Sequence, residues 1–116
     1  MFNPHRNDRE LWSYLVATAF HVPHSPHRNI ILTDLRVLPK TAAHFGDCSE
    51  NGLIRLRLRR ASGRRLEPYN ILDTLAHELA HLSFWEHTDH WFREHLRIQS
   101  HFLNRGIYAD VCGLCR

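Results

Sequence analysis

Residues 69–87 read YNILDTLAHELAHLSFWEH, and this stretch determines how the rest of the chain must be arranged. Its apolar residues recur at helical spacing: Leu72, Leu75, Ala76, Leu79 and Leu82. This spacing predicts a long helix over 69–85, which Pro68 can open. At about 100° per residue, His77 and His81 lie roughly opposite the apolar face. We therefore expect the helix to bury its leucines and keep its histidines out of the core.

The segment His77-Glu-Leu-Ala-His81 has the spacing of a metal site. Residues i and i+4 stand one turn apart on the same helix face, so both imidazoles can reach one ion. His87 follows six residues later, and a helix that ends about one turn after His81 brings it to a third corner. Three neutral imidazoles form the open tetrahedral site of catalytic zinc. Glu78 lies beside the pair and is the candidate general base. We predict one zinc ion held by His77, His81 and His87.

The third ligand has alternatives, because His90, Glu94 and His95 also follow the motif closely. Among them Glu94 is the one acidic candidate, and it would give a site of two histidines and one glutamate.

The remaining pattern predicts helices and strands around this centre. Asp8 resembles an N-cap, and the apolar spacing behind it predicts a helix to Phe20. A first strand is expected over 29–38. In 53–60, Ile54, Leu56 and Leu58 alternate with Arg55, Arg57 and Arg59, which predicts a half-buried antiparallel strand with a basic outer face. A second long helix over 88–104 ends before Gly106.

These elements predict a small α+β domain with an N-terminal helix, a short antiparallel sheet, the histidine helix and a C-terminal helix. With 116 residues and 43% hydrophobic content, the chain is expected to be one ordered domain over 1–116. The formal net charge is +3, from 15 Lys and Arg against 12 Asp and Glu, which permits a polyanionic partner without requiring one. The chain carries an unusual 11 His.

A cytoplasmic location without membrane contact is expected. The three cysteines make an odd count, which argues against a disulfide framework. No apolar run reaches membrane-spanning length. The apolar residues of 11–20 imitate a secretory signal, but Asp8 and Glu10 stand where a positive flank belongs.

The string from Tyr69 to His81, with His87 and Trp91-Phe92 behind it, resembles the SprT-like and WLM zinc metallopeptidases. The segments from Phe45 and from Gly52 resemble the entry to the strand before their active-site helix. The resemblance covers roughly 45–92. It implies a zincin-like fold and cleavage of peptide bonds in a protein or peptide substrate. It also implies proteins attached to DNA as substrates, and so DNA as a candidate partner.

The sequence departs at one position from the SprT-like and WLM families and also lacks features of the metzincins. Thr88 follows His87, where the SprT-like and WLM families often have a glycine. Phe84 replaces the turn glycine of metzincins, and Met1 is the only methionine, so no Met-turn is expected. Two other functions stay open: a zinc hydrolase of non-peptide amide or ester bonds, and a catalytically idle zinc-stabilised module that binds nucleic acid. Glu78 argues against the idle module, which needs no base beside its metal.

Other residues are candidates for supporting roles. The oxyanion or substrate contacts are expected from Tyr69, His90, Arg93 or Tyr108. The strand 53–59 is a candidate edge for pairing with an extended substrate. Its arginines, Arg55, Arg57 and Arg59, are candidates for nucleic-acid contacts, or simply form a solvated face.

The C-terminal tail 107–116 contains Cys112 and Cys115 at the spacing of half a zinc ribbon. Four interpretations stay open: a truncated ribbon without metal, a second metal site completed by His, Cys48 or another copy of the chain, an inhibitory ligand to the catalytic zinc, and a plain reduced tail.

Overall fold

The computed structural model describes residues 4–23 and 25–115, with side chains from Asp8 onward. The elements run α1 (Pro4–His21), β1 (Asp34–Leu38), β2 (Gly46–Cys48), β3 (Leu53–Arg57), α2 (Pro68–His81), α3 (Asp89–Asn104) and α4 (Ile107–Leu114). The predicted α+β class is confirmed. In the described part of the chain, no helix has the length and apolar content needed to cross a membrane.

The sheet is mixed, whereas a short antiparallel sheet was expected. Its strand order is β1-β3-β2, with β1 parallel and β2 antiparallel to β3. A tight turn at Gly52, with φ of 84°, joins β2 to β3 as a hairpin. After β1 the chain crosses the sheet to form β2, and the hairpin then returns β3 between the two. Because the chain has by then reversed twice, β3 runs parallel to β1. As a result β3 is the central strand, and the prediction that it offers a free edge was wrong.

The first helix and the first strand begin elsewhere than predicted. The helix starts at Pro4, whose fixed φ suits the first helical turn. Asp8 is therefore no N-cap; its carboxylate accepts hydrogen bonds of 2.8 and 2.9 Å from Arg59 and also bonds Arg65. The predicted strand shortens at its start to Asp34, because the N–H groups of Asn29 and Ile30 donate to the carbonyl of Leu82 instead.

The core forms where the sequence places it. On α2 and at its C-cap, the residues Leu72, Leu75, Ala76, Leu79 and Leu82 are all 0% exposed. On β3 and just beyond it, Ile54, Leu56 and Leu58 are buried as their alternation predicts. These faces pack together, so one side of α2 is fixed against the sheet and the other is free for chemistry.

The predicted helix 69–85 ends earlier, at His81, since Leu82 bonds back to Leu79 in a tightened last turn. The segment 82–88 then turns the chain into α3. Thr88 caps that helix and accepts a hydrogen bond from the N–H of Trp91 at 3.3 Å. The early end of α2 and this cap together place His87 back over the histidines of α2.

The tail that carries the two spaced cysteines is mostly helical. It forms α4, whose Val111 is fully buried. The hydroxyl of Tyr14 on α1 donates to Asp110 at 2.6 Å and joins the two termini of the domain. The tail is thus packed against the core rather than extended from it.

Candidate metal centre

Three imidazoles converge on one point at the end of α2. The Nε2 atom of His77 lies 3.3 Å from that of His81 and 3.2 Å from that of His87. Zinc–nitrogen bonds of about 2.0–2.1 Å in a tetrahedral site separate neighbouring nitrogens by about 3.3 Å, so the spacing fits zinc. Within the described residues, no other group of three His, Cys, Asp or Glu side chains gathers its ligand atoms this closely.

The histidines of α2 are kept neutral by burial, the form in which an imidazole can bind a metal ion. Burial, with the neighbouring histidines as a second cause, lowers the pKa of His77 to about 4. Burial also lowers the pKa of His81. The Nδ1–H of His81 donates to the carbonyl of Phe84 at 3.2 Å, and this bond fixes the tautomer. The Nε2 lone pair of His81 is therefore free to face the shared point.

Trp91 packs against all three histidines. Its ring centroid lies 4.6 Å from those of His77 and His87 and 5.5 Å from that of His81. Its indole N–H donates to the backbone carbonyl of His77 at 3.3 Å. Since an indole ring is rigid and carries no competing metal ligand, Trp91 fixes the orientation of the imidazoles from α3.

Glu78 is the buried carboxyl group beside the cluster. Its side chain is 5% exposed, and burial together with the charge of Asp47 raises its pKa to about 7. Asp47 itself stays charged, because Arg55 donates to it at 2.9 Å and lowers its pKa. A carboxyl group with a pKa near 7 can take up and release a proton at neutral pH.

Cys48 on β2 lies close enough to Glu78 to feel its charge. Burial, followed by the charges of Glu78 and Asp47, raises the pKa of its thiol to about 12. The residue therefore stays a neutral thiol at physiological pH. Cys48 lies outside the group of three histidines.

A second polar group joins α3 to α2 behind the ligands. The Nε2–H of His95 donates to Asp73 at 3.2 Å, and Gln99 bonds the same carboxylate. The ring of His95 lies 6.0 Å from that of His77 and 5.2 Å from that of Trp91. His95 is buried, and its Nδ1 has no hydrogen-bond partner among the described residues. The His95 ring thus packs close to His77 and is itself held by Asp73 of the same helix as His77.

The other residues considered as a third ligand lie outside the cluster. Glu94 is buried, but Arg97 donates to it at 2.8 Å and neutralises it. His90 stacks on Phe84 with ring centroids 5.6 Å apart. The structure thus brings His87, and not Glu94 or His90, to the other two histidines.

The four candidates for oxyanion or substrate contacts divide into two pairs. His90 and Arg93 line a cavity of about 460 Å³ behind Phe84. Tyr69 is 62% exposed, while burial and the charge of Asp73 raise the pKa of Tyr108. The two tyrosines thus lie on the Asp73 side of α2. None of the four belongs to the ligand cluster.

The arginine face of β3 is largely engaged within the molecule. Arg55 pairs with Asp47, and Arg57 donates to the carbonyl of Ala42 at 2.7 Å. Arg59 forms its two bonds to Asp8. These side chains therefore hold the sheet to its neighbours rather than form a free stripe of charge.

The C-terminal cysteines, like Cys48, are free thiols outside the ligand cluster. Cys112 is exposed, whereas Cys115 packs partly buried against the core.

Sequence reasoning assigned Trp91 and Asp73 no role in the site, and it considered His95 only as an alternative third ligand, whereas His95 bonds Asp73 instead. A signal was present, because Asp73 precedes His77 by one helical turn and Trp91 precedes His95 by one turn. Helical spacing places each pair on one face. Spacing alone does not predict that this face of α2 packs against this face of α3.

The chain was compared with known proteins. A model of the WLM domain family matches residues 37–108, which is more than half of the chain and runs from β1 into α4. Searches of curated proteins and of solved structures found no match.

Proposed function

The chain belongs to the WLM domain family, and from this membership and the geometry of the three histidines we propose that it is a zinc-dependent peptidase. The observation that carries the proposal is the convergence of three Nε2 atoms beside a buried glutamate. In this proposal His77, His81 and His87 hold the ion. When bound, zinc supplies Lewis acidity, which lowers the pKa of a water ligand and polarises a carbonyl.

Glu78 carries the proton in the proposed reaction. Its carboxylate takes a proton from the attacking water and gives it to the leaving amine. Burial supports this role because it brings the pKa of Glu78 to about 7, so neither transfer is strongly uphill at neutral pH. The neutral thiol of Cys48 does not compete for the proton, since its pKa is about 12.

The edge strand β2 is the proposed place for an extended substrate. It replaces the predicted edge at 53–59, which is covered on both sides. Cys48 of β2 lies beside Glu78, so a segment that pairs with the outer edge of β2 runs past the glutamate. Main-chain hydrogen bonds there hold a peptide largely irrespective of its side chains.

DNA-associated substrates stay a hypothesis from the family resemblance, and a cytoplasmic location stays an expectation from the odd cysteine count and from the acidic residues before 11–20. The structure adds no support for the DNA hypothesis from the arginines of β3. Each of Arg55, Arg57 and Arg59 donates hydrogen bonds to other groups of the chain. The peptidase is therefore proposed without a nucleic-acid requirement.

A Glu78→Gln variant tests the proposal. We expect it to keep zinc, because Glu78 is no ligand, and to lose about a hundredfold or more in turnover of a quenched fluorescent peptide library. Elemental analysis and the peptide assay are run on the same zinc-loaded sample. The matched control is Glu86→Gln, an exposed glutamate in the segment between α2 and α3, which should cleave as the wild type does.

Each outcome separates the candidate functions. Full activity of zinc-loaded Glu78→Gln would remove Glu78 from the mechanism. Hydrolysis of ester substrates without peptide cleavage would favour the non-peptide hydrolase. Bound zinc without any turnover would favour the idle module.

A further inference from the structure

A second surface lies at the other end of the sheet from the histidines. The metal end adjoins Ile54, which pairs with Cys48 beside Glu78. Leu58 and Arg59 come directly after β3, four and five residues beyond Ile54. At about 3.3 Å per residue, this places the second surface roughly 15 Å from the first along the strand. A ligand there does not touch the metal ligands.

A cavity of about 590 Å³ opens between α1, the end of β1 and the end of β3. Its walls are mainly apolar and comprise Trp12, Val37, Leu38, Pro39 and Leu58. Val37 is 51% exposed although it belongs to a strand. The volume lies in the range of pockets that hold a bulky side chain or a small ligand.

Basic side chains line this cavity or belong to the hairpin that continues from its wall, and we call them the basic rim: Arg9, Lys40, Arg59, Arg60, Arg64 and Arg65. Arg9, Lys40 and Arg59 line the cavity directly. Arg59 and Arg65 form a β-bridge, and the N–H of Arg60 donates to the carbonyl of Arg64, so the four arginines share one hairpin. The Nζ atom of Lys40 lies against the tip of that hairpin at Gly63.

Charge is distributed unevenly between this rim and the rest of the chain. The rim contains six of the 15 basic residues, and Asp8 is the one carboxylate that lines the cavity. This leaves nine basic and eleven acidic residues for the rest of the chain, which is therefore slightly acidic although the whole protein carries +3. Asp8 is already paired with Arg59 and Arg65. The rim thus attracts anions.

We propose that the basic rim and its cavity form a docking site for an acidic peptide segment that inserts one bulky apolar side chain. The acidic residues pair with Arg60, Arg64 and Lys40, and the apolar side chain fills the space beside Trp12. The strand β1 is an edge of the sheet, and no other described strand pairs with its outer side. An extended segment can therefore bond to β1 while its side chain enters the cavity.

The composition of the walls favours a peptide over a nucleic acid. Single-stranded nucleic acids bind on positively charged grooves with several aromatic platforms for their bases. Among the described residues that line the cavity, Trp12 is the one aromatic residue, and aliphatic groups form the rest of their apolar surface. Aliphatic walls give a nucleobase neither stacking nor hydrogen bonds, but they suit the side chain of leucine or phenylalanine.

The test uses fluorescence anisotropy with a fluorescein-labelled heptapeptide, Asp-Glu-Asp-Phe-Asp-Glu-Asp. We expect saturable binding at about 0.1 M salt, and binding weaker by about tenfold or more when alanine replaces the phenylalanine. The paired substitution Arg60→Glu with Arg64→Glu should also weaken binding about tenfold or more. Val37→Asp, which places a charge on the exposed apolar wall, should act in the same direction.

The matched control is Arg105→Glu, a charge reversal at an exposed arginine after α3, which should change affinity less than about twofold. Zinc content and peptide cleavage should be unchanged in the rim variants, so failure here is separable from failure of the proposed activity. Equal affinity for the phenylalanine and alanine peptides would overturn the proposal. So would rim variants that bind like Arg105→Glu, or an octathymidylate that displaces the peptide.

Discussion

The two ends of the sheet differ in how far their ionisable side chains are buried. At the histidine end, burial removes charge: the pKa of His77 falls to about 4 and that of Glu78 rises to about 7. At the basic end, the side chains of Arg60 and Arg64 are exposed to solvent. The buried arrangement provides imidazole lone pairs and a carboxyl group that can carry a proton, both acting at contact distance. The exposed arrangement provides attraction over about the Debye length, roughly 10 Å at 0.1 M salt.

This contrast teaches that the basic residues and the reactive residues have separate tasks. Positive charge beside the three histidines would disfavour a cation there, and the charge that acts on Glu78 is instead the negative one of Asp47. Because β3 runs between both ends, the same strand supports the buried site and the exposed one. The two sites nevertheless lie roughly 15 Å apart along this strand, so substitutions at one end should leave the zinc content or peptide binding of the other end largely unchanged.

The largest effect is expected from the ligands. His77→Ala, His81→Ala or His87→Ala should reduce zinc from about one ion per chain to nearly none, because two imidazoles alone hold zinc weakly. Elemental analysis after gel filtration measures this. The paired Arg60→Glu and Arg64→Glu substitution should keep its zinc, as should His101→Ala. Zinc retained in His87→Ala but lost in His90→Ala would move the third ligand.

A smaller effect is expected behind the ligands. His95→Ala removes the bond to Asp73 and the packing against His77, and we expect zinc affinity to fall about tenfold to a hundredfold. Competition with a chromogenic chelator measures the affinity. His95→Gln can still donate to Asp73 and should recover most of the loss. Equal loss in both variants would mean that the ring packs His77 without orienting it through Asp73.

At the basic end, Asp8→Asn should lower the free energy of unfolding by about 1–2 kcal/mol, because it leaves Arg59 and Arg65 without their carboxylate. Urea unfolding measures this change. The same substitution adds positive charge to the basic rim, so the acidic heptapeptide should bind more tightly while zinc content stays constant. Weaker peptide binding would mean that Asp8 holds the rim in shape.

The smallest effect is expected where the termini meet. Burial, and then the hydrogen bond to Asp110, raises the pKa of Tyr14 to about 12 from its ordinary value of 10. The folded state thus holds this proton more tightly, so the contribution is complete below pH 10 and is lost as pH rises toward about 12. Since Tyr14 is partly exposed, we expect less than about 1 kcal/mol. Unfolding curves of wild type and Tyr14→Phe should converge over that pH range; parallel curves would contradict the assignment.

Much of the metal end was predictable from local spacing. Helical periodicity predicted which face of α2 is buried, and the i, i+4 spacing predicted that His77 and His81 face the same way. The alternation of Ile54, Leu56 and Leu58 likewise predicted the buried face of β3, because it depends on residues within a few positions of one another.

Other features were mispredicted because distant partners decide them. Asp8 has the chemistry of an N-cap, but two arginines more than 50 positions away bind it more strongly. The residues before β1 have strand composition, but their N–H groups bond the end of α2 instead. The direction and order of the strands depended on where the chain crosses the sheet, which alternation does not encode.

The sequence by itself determined the ligand pair, the glutamate beside it, the buried faces and the family resemblance, because local helix and strand geometry converts spacing into direction. Only the tertiary structure decided that His87 completes the cluster, that Trp91 and His95 brace it, and that β3 is central. It also decided that six basic residues from three separate segments gather around one cavity. These features depend on which faces meet after folding, and packing between elements, rather than spacing within them, sets those contacts.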